Sequence, residues 1–278
     1  MFEINLNPRI TALHTVFRQH FSPDYKFHGE QHNFYELVCV VEGKAVIAAD
    51  SNVFTLEKGQ AMVHTPMQFH NIGNIESYDT SIVVFTFSGE NIPDLSGRIC
   101  NIGDISKVKT LHEMVKKYFV RDGIWIKGTA NDSLGYFKFV KEFELFLLRL
   151  YQDSFFADTR NTTGASNYSL IVKTIEENLN KRMTVSMLSA LTNMSEINLQ
   201  KTFSKYAGVG VIEYFTRMQM SKATEYLRDG KSVKETALML GFTDQNYFST
   251  VFKRVTGHSP SSINRQRMDN LSAPMKVQ

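Results

Sequence analysis

VSMLSALTNMSEINLQKTFSKYAG, residues 185–208, and VKETALMLGFTDQNYFSTVFKRVTG, residues 233–257, are two writings of one pattern. Val185 aligns with Val233 and Met194 with Phe242 at an offset of 48 residues. Leu199 aligns with Phe248, Phe203 with Phe252 and Gly208 with Gly257 at an offset of 49. The one extra residue falls between two short helices, where a turn absorbs it. A repeat of that length decides the architecture before any local reading does.

Each copy reads helix, turn, helix. Ser195 is placed to cap a helix whose inward stripe is Leu199, Phe203 and Tyr206, with Gly208 as its stop. In the second copy Ser232 and Glu235 form a capping-box pair, and Thr243 is the expected cap of a helix carrying Phe248, Phe252 and Val255 inward. Asn193 and Gly241 hold the turns, as the two residue types that enter the left-handed region most cheaply. Ser259-Pro260 reads as a further helix start. Residues 211–229 contain no breaker, end at Gly230, and predict one stiff connecting helix. Two such units on a rigid connector suit double-stranded DNA. The second helix of each enters a major groove, and the two lie about 34 Å apart, one duplex turn. Core packing alone would explain one copy, but not two in register.

Residues 168–267 resemble the DNA-binding domain of the AraC/XylS family of bacterial transcription regulators. The likeness is densest over Ala237, Gly241, Phe242, Tyr247, Phe248, Phe252, Lys253, Gly257 and Pro260. Ser189 and Thr236 stand where that family usually has alanine and isoleucine, and Ile263-Asn264 replaces a common Tyr-Arg pair. Once the inward positions are removed, the outward residues are Glu196, Ile197, Gln200 and Lys201 in the first copy. In the second they are Gln245, Asn246, Ser249 and Thr250. These are the expected base readers: Gln and Asn pair with adenine edges, Lys with guanine, and Ile meets a thymine methyl. They also match the positions that the resemblance implies contact bases. Ser195, Lys205, Arg217, Lys253 and Arg254 are the expected phosphate contacts, although Arg217 can pair with Glu213 at i,i+4.

Charge agrees with this division. The net charge of +3 hides an excess of 15 Lys+Arg over 9 Asp+Glu in residues 168–278, against 16 and 19 in the remainder. The basic part is the part that carries the repeat. Cys39 and Cys100 are too few for a disulfide framework, and no apolar run reaches membrane-spanning length. A cytoplasmic protein without membrane contact is expected.

Residues 34–87 read as short strands (FYELVCVVEG, KAVIAAD, SNVFTLEKG, AMVHTP, SIVVFTFSG) with turns at Gly43, Gly59 and Pro66. Close-set strands indicate a barrel or sandwich. His32, Glu36 and Gly43, followed by Gly59, Pro66, His70 and Asn74, resemble the two motifs of the cupin barrel, with Glu30 where metal-binding cupins carry their first histidine. Three readings stand for His32, Glu36, His70, Glu30 and the neighbouring His64: polar lining for a small organic ligand, a divalent metal site, or satisfied core polars. Ligand lining is the preferred one. No catalytic residue, cofactor or resident metal is assigned. Residues 104–120 form an amphipathic helix. Residues 134–151, with 12 apolar positions of 18, form a helix too apolar for one stripe. A second subunit is expected to cover its outer face, with Phe139 and Phe146 as test positions. A polar linker follows.

The expected fold is therefore α+β and multidomain. A cupin-like effector domain spans residues 1–100, a helical dimerisation segment 101–157 and a linker 158–167. An all-α domain with two helix-turn-helix units joined by a long helix spans 168–268. The expected function is a sequence-specific transcription regulator, an activator of genes for a small metabolite, often a sugar. The resemblance implies operator DNA, a small-molecule effector, RNA polymerase and a second copy of the chain as partners. Its rivals are a metal-dependent cupin enzyme fused to DNA-binding helices and an effector-independent dimeric regulator.

Overall fold

The structure, a computed structural model, describes residues 7–22, 27–74, 79–130, 133–156, 159 and 162–263. The chain divides into two compact units, Met1–Ala165 and Ser166–Gln278.

The first unit holds strands β1 (Arg9–Phe21), β2 (Tyr35–Glu42), β3 (Lys44–Ala49), β4 (Asn52–Glu57), β5 (Gln60–His64), β6 (His70–Asn74), β7 (Thr80–Glu90) and β8 (Arg98–Asn101). Helix α1 (Ser106–Tyr118), strands β9 (Phe119–Asp122) and β10 (Trp125–Thr129), helix α2 (Ser133–Gln152) and strand β11 (Ser154–Phe156) complete it. One antiparallel sheet runs β11-β8-β5-β2-β7-β1-β10-β9, and a smaller one runs β4-β3-β6.

Strand β2 explains why its sequence is a continuous apolar run rather than an alternation. Its side chains face two cores in turn. Leu37, Cys39 and Val41 join Val63, Val83, Phe85 and Phe87 beneath α1 and α2, where Phe139, Phe143, Phe146 and Leu147 meet them. Val38 and Val40 join Met62, Ile82 and Val84, and across the barrel Ala45, Ile47, Phe54, Leu56 and Ile72 of the small sheet. Burial of a ring such as Phe85 or Phe143 stabilises the fold by about 1.5–3 kcal/mol. Cys39 and Cys100 are buried free thiols, and burial pushes both thiols upward.

Several expectations change here. Residues 101–157 are not a separate helical segment: they supply β9, β10 and β11 to the same sheet and belong to the first unit. Phe139 and Phe146 do not point outward on α2; both are buried, because that face packs on α1 and the sheet. The outward apolar residues of α2 are Leu134, Phe137, Leu145 and Tyr151. Glu144, on the buried side, accepts the Ile10 N–H at 3.0 Å and the Lys141 ammonium at 2.8 Å, which ties the helix to the start of β1.

The second unit carries most of α3 (Thr163–Glu176), then α4 (Val185–Thr192), α5 (Glu196–Ala207), α6 (Val211–Arg228), α7 (Val233–Met239) and α8 (Gln245–Thr256). The span 158–167 is therefore not linker throughout: it is helical from Thr163, since Thr162 Oγ1 accepts the Ala165 N–H and Ala165 and Tyr168 are buried. Residues 158, 160 and 161 of that span, and 264–268 of the C-terminal one, lie outside the described residues.

Both copies adopt the expected helix-turn-helix. Ser195 and Ser232 cap as read, the latter in a full capping box. Asn193 and Gly241 take positive φ, 53° and 75°. Two details differ. The cap of α8 is Asp244, not Thr243: its carboxylate reaches the Asn246 N–H at 2.8 Å. Val251, not Val255, completes the inward face of α8, since Val255 is 37% exposed. Gln219, buried on α6, donates from its amide to Leu179 O (2.9 Å), Leu240 O (3.0 Å) and Lys181 O (3.5 Å). The long helix is thus bonded both to the loop before α4 and to the end of the second copy's first helix.

Candidate functional site

Two surfaces carry chemistry, one in each unit. On α5 the side chains of Glu196, Ile197, Gln200 and Lys201 are exposed, with Ile197 at 80%, while Leu199 and Phe203 are fully buried. On α8 Gln245, Asn246 and Thr250 are exposed and Ser249 is half-buried, while Phe248 and Phe252 are fully buried. Each helix is anchored by its aromatic stripe and presents a polar face outward. The hydroxyls of Ser249 and Thr250 donate to Gln245 O and Asn246 O of their own helix, at 2.9 and 3.0 Å, so toward a ligand they are oriented as acceptors. Ser195, Lys205, Lys253 and Arg254 are exposed. Arg217 is paired with Glu213 at 2.6 Å, which leaves it the most committed of the five expected phosphate contacts.

The second surface is inside the barrel. Glu36 lies on β2 on the same side as Val38 and Val40, directly across from His64 of β5 and Thr86 of β7. His70 begins β6 and shares the inward side with Ile72. An isolated bridge joins Glu30 to His70 through two backbone hydrogen bonds, 2.9 and 3.0 Å, and places the Glu30 carboxylate beside that imidazole. The resulting separations are 3.4 Å from His70 Nε2 to Glu36, 3.7 Å to Glu30, and 3.5 Å from His32 Nε2 to Glu36. The donor atoms of Glu30, His32, Glu36 and His70 all lie within 4.8 Å of one another.

Each ring is held from behind. His32 Nδ1 donates to Phe34 O at 3.0 Å and His70 Nδ1 to Gln68 O at 3.1 Å. His64 stacks on His70 at 4.1 Å between centroids, and its Nδ1 faces the Gln68 side-chain oxygen at 3.2 Å. Gln68 is itself oriented by Asp50, to which its amide donates. The Nε2 atoms of His32, His64 and His70 are buried and make no hydrogen bond among the described residues.

Such crowding shifts protonation. Burial raises the Glu36 carboxyl, but the imidazoles of His32 and His70 outweigh it and hold Glu36 well below the usual carboxylate range. Burial lowers His70, but Glu30 and Glu36 together carry it above the ordinary histidine value. His64, buried and next to His70, is pushed down and stays neutral. Metal-binding cupins would seat an ion here, and the donor set fits one: two imidazoles and two carboxylates, with buried Nε2 atoms that make no hydrogen bond among the described residues.

The five barrel residues singled out from sequence are thus brought together. Gln68 and Asp50, which position His64, were missed. Neither belongs to a recognisable spacing, although Asp50 in a strand-to-strand turn is a common side-chain-to-backbone acceptor, and it accepts the Phe69 N–H here. For Asn74, only the strand is described.

Comparison with known proteins follows the same division. A model described as a helix-turn-helix domain matches residues 188–266. The chain is 29% identical over 93 residues to the bifunctional transcriptional activator/DNA repair enzyme AdaA of Bacillus subtilis, covering 33% of this chain and 44% of that protein. The C-terminal unit is an AraC-type DNA-binding domain. Less than half of that relative is spanned. By contrast, the raffinose operon transcriptional regulatory protein RafR of Pediococcus pentosaceus is 25% identical over 253 residues, 86% of this chain and 88% of that protein. Among solved structures, ToxT of Vibrio cholerae O395 gives a TM-score of 0.37 at 16% identity, over 91% of this chain and 96% of that one. Among the described residues, no helix is long and apolar enough to cross a membrane.

Proposed function

We propose that this protein is a DNA-binding transcription regulator whose barrel takes a small-molecule effector. One observation carries the DNA half: two copies of the same short helix, anchored by buried Phe stripes, each present a largely exposed, mostly polar face within one basic unit. Glu196, Ile197, Gln200 and Lys201 read one set of base edges, and Gln245, Asn246, Ser249 and Thr250 the other. Ser195, Lys205, Lys253 and Arg254 hold phosphates, with Arg217 secondary because Glu213 occupies it. Helix α6, 18 residues and about 27 Å long, is the spacer. The test is binding to operator sequences selected from random duplexes. Gln200→Ala and Asn246→Ala should each cost about 1–3 kcal/mol and relax preference at one or two base pairs. Parent-like affinity and preference in both would sink the assignment.

In the barrel, His32, Glu36 and His70, with Glu30 and His64, provide convergent polar groups among apolar walls, the arrangement that orients a small hydroxylated ligand such as a sugar. Regulation acts on a homodimer, and activation runs through RNA polymerase. The exposed Leu134, Phe137 and Leu145 of α2 form the dimer face. Phe137→Glu should halve the mass seen by light scattering while leaving the fold intact. An unchanged dimer would move the interface off α2.

A further inference from the structure

We propose that the two reading helices demand chemically different halves of the operator: α8 reads the exocyclic amines of adenine and cytosine, and α5 is the helix that reads guanine. The inference rests on the DNA-binding reading above and names the base edges which that reading leaves open.

The two faces occupy equivalent positions. At an offset of 49, Glu196, Ile197, Gln200 and Lys201 of α5 correspond to Gln245, Asn246, Ser249 and Thr250 of α8. Their chemistry is not equivalent. Lys201 donates and cannot accept, and Glu196 is a carboxylate that only accepts. None of the four α8 residues carries a charge. The cations of α8, Lys253 and Arg254, stand in its last turn, beyond the N-terminal residues that meet base edges.

Hydrogen bonding within α8 narrows the choice further. A hydroxyl has one proton and two lone pairs. Ser249 donates its proton to Gln245 O at 2.9 Å and Thr250 donates its own to Asn246 O at 3.0 Å. What remains on both oxygens is acceptor capacity. In the major groove guanine offers two acceptors, N7 and O6, and thymine offers one, O4, so an accepting oxygen finds no partner on either base. It finds one on adenine N6 and on cytosine N4. Gln245 and Asn246, both exposed, add amides that pair with adenine N6 and N7 together. The base that suits all four positions is adenine, and guanine suits the hydroxyls least.

On α5 the charges point the other way. Lys201 donates to guanine O6 and N7, and Glu196 accepts from cytosine N4, so both favour G·C pairs. Ile197, 80% exposed, meets a thymine methyl. Such an operator has a polarity. Turning the chain end for end sets the α8 oxygens against guanine acceptors, so each chain binds in one orientation.

The experiment uses the full chain and a duplex selected from a random pool. Each adenine is replaced in turn by 2-aminopurine, which keeps N7 and the pairing with thymine but takes the amine out of the major groove. Each cytosine is replaced by 2-pyrimidinone, which lacks the amine, and each guanine by 7-deazaguanine, which lacks N7. Amine removal should weaken binding about fivefold or more within one stretch, and 7-deazaguanine should do so in the other. Thr250→Val keeps the side-chain shape without the oxygen, and Ser249→Ala removes the second hydroxyl. In at least one of these variants the amine penalty should vanish at one base and persist at the rest, which a merely structural role would not produce. Lys201→Ala should erase the 7-deazaguanine penalty. A guanine or thymine requirement at the base whose preference Thr250→Val or Ser249→Ala abolishes overturns the proposal. Amine penalties that persist at every base in both variants overturn it too. In either case a selected sequence that still responds to Gln200→Ala and Asn246→Ala leaves the regulator reading standing. A pool that yields no preferred sequence removes both.

Discussion

The two helix-turn-helix copies share an interior and differ at their turns and outer faces. Leu199 and Phe203 in one, and Phe248 and Phe252 in the other, are all fully buried. The first turn is closed by Asn193 and by Ser189 Oγ, which donates to Met194 O. The second is closed by Gly241, where an added Cβ would come within 2.6 Å of the Asn180 carbonyl oxygen. The first copy's turn can therefore carry a side chain, and the second copy's cannot. Outward, α5 mixes Glu196, Ile197 and Lys201, while α8 offers uncharged Gln245, Asn246 and Thr250. Folding constrains the inward set alike in both copies and leaves the outward set free to diverge.

That contrast can be broken most sharply at the turns. Gly241→Ala adds a left-handed penalty and a backbone collision, and should destabilise the second unit by about 2–4 kcal/mol. Asn193→Ala meets only the conformational penalty and should cost about 1 kcal/mol. Urea unfolding of the full chain, followed by helical circular dichroism, measures both. Equal losses would show that the two turns are equivalent after all. A smaller effect sharpens the comparison at the caps. Ser232→Ala removes the hydroxyl half of a capping box but keeps the backbone N–H of residue 232 bonded to Glu235, whereas Ser195→Ala removes the side-chain bond to Asn198 N–H with no reciprocal bond left behind. Both should cost about 0.5–2 kcal/mol, with Ser195 the larger. The reverse order in the same unfolding assay would show that the Glu235 bond does not sustain the cap once the hydroxyl is gone.

The C-terminal unit was legible because its pattern is written twice: each inward residue had a counterpart that confirmed it. Even there, Thr243 and Asp244 are adjacent cap-forming residues, and only the backbone decides between them. The barrel was legible where strands are bounded by turns, as in β2 to β5 and β7. Strand β1 was not, because register shifts between Ile10 and Ala12 and between Leu13 and Thr15 break its alternation. The β9–β10 hairpin carried a signal that went unused: Asp122-Gly123, flanked by Val120 and Trp125, with Gly123 at φ 59°. On α2, the sequence showed an excess of apolar residues but not which ones face out. That is fixed by the large sheet and α1, which take Phe139, Phe143 and Phe146. At the barrel site the residue types were visible. The bridge that brings Glu30 to His70 pairs residues 40 apart, so no local spacing could reveal it.

Gln219 gives the C-terminal unit a property that neither reading helix has alone. One amide, buried in α6, is tied to the segment ahead of the first copy and to Leu240 in the second. The two copies are thereby gauged against each other, like jaws locked on a single bar. A regulator built this way measures length as well as letters. Its operators should tolerate a changed base between the two contacted stretches far better than an inserted one, because a substitution leaves the span unaltered and an insertion moves and rotates one stretch away from a helix that cannot follow.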